Sequence, residues 1–181
     1  MCLMKINAVN WWGRVGVSLL LLILSGISLA AEVKCNIEAY IVASDNHPVV
    51  MRDKPKSSSK IVGRLQADDM VVIDRQAPGF YRIKAVLAVA DEKALEQGRY
   101  SPIRGWVSRD GVGVGIRSGE VYAKGDANRV IDQTGLDASA KLISCREDWA
   151  EIRYQVTPDA AEKSGWLPPF AQCGNSLTTC P

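Results

Sequence analysis

Four cysteines are the residues whose type and spacing point most directly to chemistry: Cys35, Cys145, Cys173 and Cys180. Exported chains with an even number of cysteines generally oxidise them to disulfides. A zinc site would instead need closely spaced cysteines or histidine partners. The sequence contains no Cys-x-x-Cys and a single histidine. The four cysteines therefore predict two disulfides and no metal site, provided that the chain is exported.

The pairing of these cysteines is open at this point, because four cysteines allow three arrangements. Cys173 and Cys180 could close a short terminal loop, which leaves Cys35 to pair with Cys145. Cys145 could instead pair with Cys173, and Cys35 would then hold the tail through Cys180. In either case the cross-links would restrict the unfolded chain and so stabilise small domains with limited cores.

The sequence offers no recognisable catalytic set. Nucleophilic catalysis usually needs a histidine beside a serine or cysteine. His47 lies between Asn46 and Pro48 in a predicted turn, where surface exposure is the simple explanation for it. The acid pairs Asp68-Asp69, Asp91-Glu92 and Glu147-Asp148 fall at predicted turns or at a helix start, which predicts solvated surface. The glycine-rich run 111–115 lacks the following helix that would cradle a phosphate. We therefore expect neither enzyme activity nor a cofactor.

Residues 1–30 have the features of a secretory signal. Lys5 and Arg14 supply its positive charge, an uncharged apolar run follows, and Ala30 ends a small-residue cleavage pattern. The alternative is an uncleaved anchor. The 17 uncharged residues between Arg14 and Glu32 are short against the roughly 20 apolar residues that a spanning helix needs. The sequence thus predicts a periplasmic or secreted protein that has no membrane contact after cleavage.

The charge balance argues against a nucleic-acid partner. The 181-residue chain has 22 Lys and Arg against 20 Asp and Glu. Lys5 and Arg14 lie in the predicted signal, so the remaining chain is neutral, with 20 residues of each sign. Nucleic-acid binding needs a concentrated positive field.

The spacing of strand-forming segments between residues 49 and 107 is the strongest signal for a fold. An entry segment of hydrophobic–Arg–x–x–Pro form surrounds Arg52, followed by a serine-rich loop and an aliphatic–Gly–x–Leu close. Two further strands, Met70–Asp74 and Phe80–Lys84, come next, with Tyr81 and Ile83 facing inward in the second. The last feature is Gly105-Trp106-Val107. In order, spacing and residue type, this stretch resembles the bacterial SH3-like (SH3b) domain family, which implies a small β-barrel.

The same pattern recurs after residue 119, with a divergent entry segment that lacks the Arg-x-x-Pro feature. The recurring segments are Glu120–Asp126, Lys141–Cys145, Trp149–Tyr154 and Gly165–Leu167. Helix-forming insertions occupy the same place in both halves, at Ala90–Gly98 and Thr157–Lys163, which indicates duplication. The predicted fold is all-β: two small SH3-like barrels in tandem with short helical insertions, linked by disulfides. The predicted domains are residues 31–115 and 116–181, and a strand at 112–116 ends the first.

The resemblance implies surface recognition of peptides or cell-wall glycopeptide, on aromatic-rich loops. The candidate ligand-binding residues are Arg52, Phe80, Trp106, Trp149 and Trp166. Phe80 and Trp149 each begin a strand directly after a turn, so we expect these two to be more exposed than Trp106 and Trp166. The expected function is a non-catalytic binding module of the cell envelope, with peptidoglycan peptide or a protein as partner. The alternative is a periplasmic inhibitor or assembly factor for one protein, which would use the barrel-edge strands and the insertions.

Overall fold

The computed structural model describes residues 32–43, 47–134 and 138–174, so the predicted signal and Cys180 lie outside the described residues. The described chain is almost entirely β. Its thirteen strands are β1 (Val33–Ile41), β2 (Val49–Arg52), β3 (Ile61–Leu65), β4 (Met70–Ala77), β5 (Phe80–Leu87), β6 (Ser101–Ser108), β7 (Val112–Ile116), β8 (Glu120–Ala123), β9 (Asp126–Gln133), β10 (Ala138–Arg146), β11 (Trp149–Tyr154), β12 (Lys163–Leu167) and β13 (Gln172–Cys173). Helical structure is confined to α1 (Glu92–Glu96) and two single 3₁₀ turns, Arg109–Gly111 and Pro169–Ala171.

All thirteen strands join one antiparallel sheet, in which the two halves of the chain have the same pairing order. The first half runs β1-β4-β5-β6-β2-β3, and the second runs β7-β10-β11-β12-β8-β9. In the first half a 3₁₀ turn follows β6 and leads into β7, which pairs with β1. In the second half a 3₁₀ turn follows β12 and leads into β13, which pairs with β7. The all-β prediction is confirmed. The hydrogen-bonded path among the described strands is continuous and open, ending at β3 and β9.

Strand β7 joins the two halves. Along one edge it pairs first with β1 and then with β13, and along the other it pairs with β10. All five of its residues are buried. The β1 segment packs so closely on Gly113 that a Cβ atom there would lie 2.8 Å from both Tyr40 and Val42, which requires glycine at this position of the strand.

Two further links tie the halves together. The Cys35–Cys145 disulfide connects β1 to the end of β10 across 110 residues of sequence. The Tyr81 hydroxyl, fully buried, donates a hydrogen bond to the Leu142 carbonyl at 3.1 Å. The Cys35–Cys145 bond shows that the alternative arrangement, Cys145 with Cys173 and Cys35 with Cys180, is wrong. Cys173 is itself disulfide-bonded, and its partner lies outside the described residues.

The two predicted insertions differ. In the first, Asp91 caps α1 by accepting a hydrogen bond from the Ala94 amide at 3.0 Å, and Ala94 packs against Met70 and Leu87. The prediction of a helix there is confirmed. In the second, residues 157–162 contain a turn with one Ala160-to-Thr157 backbone bond and no helix, and Lys163 already begins β12. The prediction of a helical segment at Thr157–Lys163 is therefore wrong.

The prediction that Asp68-Asp69 is solvated surface is wrong for Asp69, which is 4% exposed. Its carboxylate accepts backbone N–H bonds from Gln66 at 2.8 Å and from Val89 at 3.1 Å. Two satisfied acceptors offset the cost of burying the charge. No helix in the described ranges has the length and apolar character needed to cross a membrane.

The glycines of the two Gly-Trp pairs are required by close packing. A Cβ atom at Gly105 would overlap the side chain of Met51, and one at Gly165 would overlap Cγ1 of Val121. Met51 and Val121 lie on corresponding strands, β2 and β8, and both are buried in the main core. The glycine lets the fourth strand of each half pack against this side chain.

We expect Gly165→Ala to lower the free energy of unfolding by about 1–3 kcal/mol, the usual effect of overpacking a filled core. Chemical denaturation would measure the change. Val121→Ala should be destabilising alone but should recover part of the loss in the double variant, because it removes the overlapping methyl group. Additive effects of the two substitutions would contradict this account.

Candidate functional site

A cavity of about 210 Å³ opens on the outer face of the second half. Its lining, which we name the indole pocket, consists of Lys124, Gly125, Arg146, Glu147, Trp149 and Trp166. Both tryptophans are half-buried. The pocket brings together two of the five predicted ligand-binding residues, from two neighbouring strands.

The floor of the indole pocket follows from strand register. Trp166 lies opposite Tyr122 on β8 and opposite Glu151 on β11, and directly opposed residues point to the same face of a sheet. Trp149 lies two residues before Glu151 and therefore shares that face. Glu151 accepts a short hydrogen bond from the Ser144 hydroxyl, which holds its carboxylate along the sheet.

Tyr122, which pairs with Trp166 from β8, is fixed by its own contacts. Its ring is buried, with the Phe170 ring edge-on at 5.7 Å between centroids. Its hydroxyl donates to Glu120 at 2.6 Å, and this hydrogen bond, together with burial, raises the pKa of Tyr122 above its ordinary value. The tyrosine therefore stays protonated and fixed in place at neutral pH.

One wall of the pocket is the β10–β11 hairpin tip, and the first half of the chain holds it. The Glu147 carbonyl accepts a backbone bond from Asn36 at 2.7 Å, and the Glu147 amide donates to Lys34 at 2.9 Å. The Asn36 side chain donates to Asp148 at 2.9 Å. The Cys35–Cys145 disulfide sits beside these bonds. This wall therefore depends on contacts between residues more than 100 positions apart in the sequence.

The opposite wall is the β8–β9 hairpin tip, Lys124-Gly125. Gly125 has a φ of +69°, the left-handed conformation that favours glycine in tight hairpin turns. The turn places the Lys124 ammonium over the Trp166 ring, 5.3 Å from its centroid, a distance at which cation and ring attract each other. Lys124 and Arg146 lie on opposite walls, so the pocket carries a cationic group on each side.

The corresponding place in the first half is closed. Trp106 lies opposite Arg52 and Arg82, as Trp166 lies opposite Tyr122 and Glu151. The Arg82 guanidinium sits 5.9 Å from the Trp106 centroid, and Trp106 is only 5% exposed. Asp74 holds Arg82 through two hydrogen bonds of 2.8 and 2.6 Å. Arg82, held in this way by Asp74, thus covers the ring of the first tryptophan.

The Asp74–Arg82 pair also sets the titration of Asp74. Partial burial raises the pKa of the carboxyl, but the hydrogen bonds and positive charge of Arg82 outweigh it, and the net pKa lies below the ordinary 3.8. The same contact raises the pKa of Arg82. The pair therefore stays ionised at neutral pH and keeps Trp106 covered.

The five predicted ligand-binding residues fall into two groups. Trp149 and Trp166 line the indole pocket, whereas Arg52, Phe80 and Trp106 lie on the first half and do not. Arg52 donates to the Ser59 carbonyl at 2.7 Å and so braces its own loop. Phe80 and Trp149 are half-buried, which agrees with the expectation that they exceed Trp106 in exposure; Trp166 is also half-buried.

The sequence reasoning missed Lys124, Gly125, Arg146 and Glu147 as site residues. A partial signal exists, since Glu147 falls in the predicted turn before Trp149, and a Lys-Gly pair is compatible with a hairpin tip. Alignment of the two halves would place both tips beside the Gly-Trp strand. The meeting of the two tips over one cavity depends on the curvature of the sheet and could not be read from spacing.

Within the described ranges, no group of three or more His, Cys, Asp or Glu side chains is arranged to hold a metal ion. The chain matches no protein-family model and no curated protein sequence.

We expect Arg82→Gln to uncover Trp106 and to return the Asp74 pKa toward 3.8. A carboxyl whose folded pKa is depressed stabilises the fold above its unfolded pKa, and that contribution is lost as the pH falls through the folded pKa. The variant should therefore be less stable than the wild type by about 1 kcal/mol at pH 7, with the difference shrinking below about pH 3.8. Denaturation curves at several pH values would show this, and a pH-independent difference would contradict it.

Proposed function

We propose that this chain is a non-catalytic binding module of the bacterial cell envelope, built from two SH3-like halves, and that the indole pocket recognises peptidoglycan peptide or a peptide segment of a protein partner. The matched pairing order of the halves and the recurring Gly-Trp strand support the SH3-like part of the proposal. The Cys35–Cys145 disulfide supports an oxidising compartment, which agrees with the signal predicted for residues 1–30.

One observation carries the assignment of the site. The two halves place a tryptophan at the same position of the same sheet, and only the second leaves its ring open to a cavity among the described residues. A half-exposed pair of indoles costs hydrophobic free energy in an unbound protein, whereas Trp106 shows that the sheet can cover the same position with Arg82. Aromatic side chains with one accessible face are frequent anchors in binding sites.

The test is retention of the chain by purified, insoluble peptidoglycan sacculi. We expect Trp149→Leu and Trp166→Leu each to weaken retention by at least about tenfold, as loss of an aromatic anchor does. Leucine preserves an apolar side chain, which matters because Trp149 packs against the core. Co-sedimentation across a range of sacculus concentrations would measure the change.

Phe80→Leu is the matched control, since Phe80 begins β5 as Trp149 begins β11, and it does not line the indole pocket. It should bind as the wild type does. Recovery of one stoichiometric envelope protein in place of sacculi, lost in the tryptophan variants, would identify the ligand as a protein segment. Wild-type retention by both tryptophan variants would contradict the site.

A second candidate function, an inhibitor or assembly factor for one protein, is favoured by the sheet edges. In the described chain β3 and β9 each pair with a single strand. Both expose adjacent β-branched residues, Ile61, Val62, Val130 and Ile131, at 42% to 47%. Such an edge can add a strand from another protein.

If this second function holds, Val130→Lys should abolish recovery of the partner, since a lysine on an edge strand opposes strand addition. Arg129→Lys serves as the control, because it alters the neighbouring residue of the same strand without changing the charge. Affinity purification from a solubilised envelope would measure recovery. Loss of the partner in the tryptophan variants, with Val130→Lys unaffected, would favour the indole pocket instead.

A further inference from the structure

The charges on the walls of the indole pocket indicate the chemistry of its ligand. In the described part of the chain, salt bridges to carboxylates are formed by Arg75, Arg82, Lys141, Arg153 and Lys163. Neither Lys124 nor Arg146 is among them. Both line the pocket, on opposite hairpin tips, and the lining holds one carboxylate, that of Glu147.

The lining therefore carries a net charge of +1 beside two indoles, from two cations and one carboxylate. Glu151 shares the face of Trp166 but lies outside the lining, and its carboxylate accepts a hydrogen bond from the Ser144 hydroxyl. A carboxylate placed between an ammonium and a guanidinium accepts charge-assisted hydrogen bonds, which are stronger than neutral ones. The indole faces supply apolar contact area beside that position. Glu147 limits the excess charge to one, which suits a single carboxylate better than a densely charged polymer.

Both cationic tips are held in place before any ligand arrives. Lys124 rests over Trp166 and lies in a turn that depends on Gly125. The backbone of Arg146 is fixed from both sides. Cys145 before it is held by the disulfide, and Glu147 after it makes backbone hydrogen bonds to β1. Fixing the backbone of both tips lowers the conformational entropy lost on binding, so these charges can contribute to affinity although they lie at the surface.

We infer that the indole pocket binds a peptide bearing one free carboxylate next to an apolar group, with the carboxylate between Lys124 and Arg146 and the apolar group on Trp149 and Trp166. This inference rests on the proposed function and names the ligand chemistry of the same site. We assign this peptide to the peptidoglycan of the cell wall. A carboxylate from a segment of another protein is the other outcome that the test can identify.

The experiment compares native sacculi with sacculi whose carboxyl groups have been converted to amides by carbodiimide and ammonium chloride. The disulfide-intact chain is used, and the co-sedimentation affinity is measured for both. We expect amidation to weaken wild-type binding by about tenfold, and the combined Lys124→Gln and Arg146→Gln variant to weaken binding to native sacculi to a similar degree. That variant should bind native and amidated sacculi equally.

Two further variants test whether charge within the pocket, and not surface charge in general, controls binding. Glu147→Gln should tighten binding to native sacculi by a few-fold, because it removes the one repelling charge of the lining. The control, Lys54→Gln with Lys60→Gln, removes the same two charges from the exposed serine-rich loop of the first half and should leave binding unchanged. A general attraction between surface lysines and an anionic cell wall would be weakened equally by the control.

The outcomes separate the two proposals. Tryptophan-dependent binding that is insensitive to amidation and to Lys124→Gln with Arg146→Gln would overturn the carboxylate inference and leave the proposed function in place. If native sacculi do not retain the chain in a tryptophan-dependent way, peptidoglycan peptide is not the ligand of the indole pocket. The experiment could instead recover a protein whose binding depends on Trp149 and Trp166. Loss of binding after amidation of the bound peptide of that protein would then support recognition of a carboxylate, and it would overturn the assignment of the ligand to peptidoglycan.

Discussion

The position of β7 is the constraint on which the rest of the structure depends. This short strand is the last strand of the first half and the first strand of the second, and it hydrogen-bonds with β1, β10 and β13. Because it is buried on both faces, it can present only small or compact apolar side chains, and its valines, isoleucine and glycines meet that requirement. Once β7 is placed, the register of β10 follows, and with it the hairpin tip that forms one wall of the indole pocket. A sheet shared in this way makes the second half a continuation of the first, so the pocket of one half is supported by β1 of the other.

The two halves show how one backbone arrangement can carry opposite surface chemistry. A row of side chains crosses each half on its outer face, with a tryptophan at its centre. In the first half the flanking residues are Arg52 and Arg82, and the Asp74 carboxylate holds Arg82 over the ring. In the second half the flanking residues are Tyr122 and Glu151, and the Trp166 ring, with the Lys124 ammonium over it, borders the indole pocket. The difference arises from a few substitutions on a common frame. Such variation is possible because strand register is set by backbone and core, while outer-face positions are free to change.

Most strands could be predicted because their signals are local. Alternation at Phe80–Lys84, the turn at Pro78-Gly79 and the Gly-Trp pairs each mark a strand or its end, and the structure places strands at all of them. The helix at Glu92–Glu96 has a cap, good helix formers and a nearby glycine stop. Strand β9 is ambiguous in the sequence because nearly all of its residues are exposed, so it lacks the alternation that marks a half-buried strand. The burial of Asp69 could not be predicted because an acid at a turn is usually solvated, and only the approach of the Val89 amide from a distant loop shows that it is enclosed.

By itself, the sequence determined the all-β class, the recurrence of one strand pattern in two halves and the aromatic positions from which a site could be built. These features depend on residue periodicity and turn chemistry, which act over a few positions. Only the tertiary structure decided which aromatics face a common cavity, which cysteine pairs with Cys35, and that the halves share one sheet through β7. Each of those outcomes requires segments far apart in the chain to meet, as the Cys35–Cys145 bond and the Asn36–Glu147 contact do. Such meetings are set by sheet twist and core packing summed over the whole fold, and no local pattern encodes them.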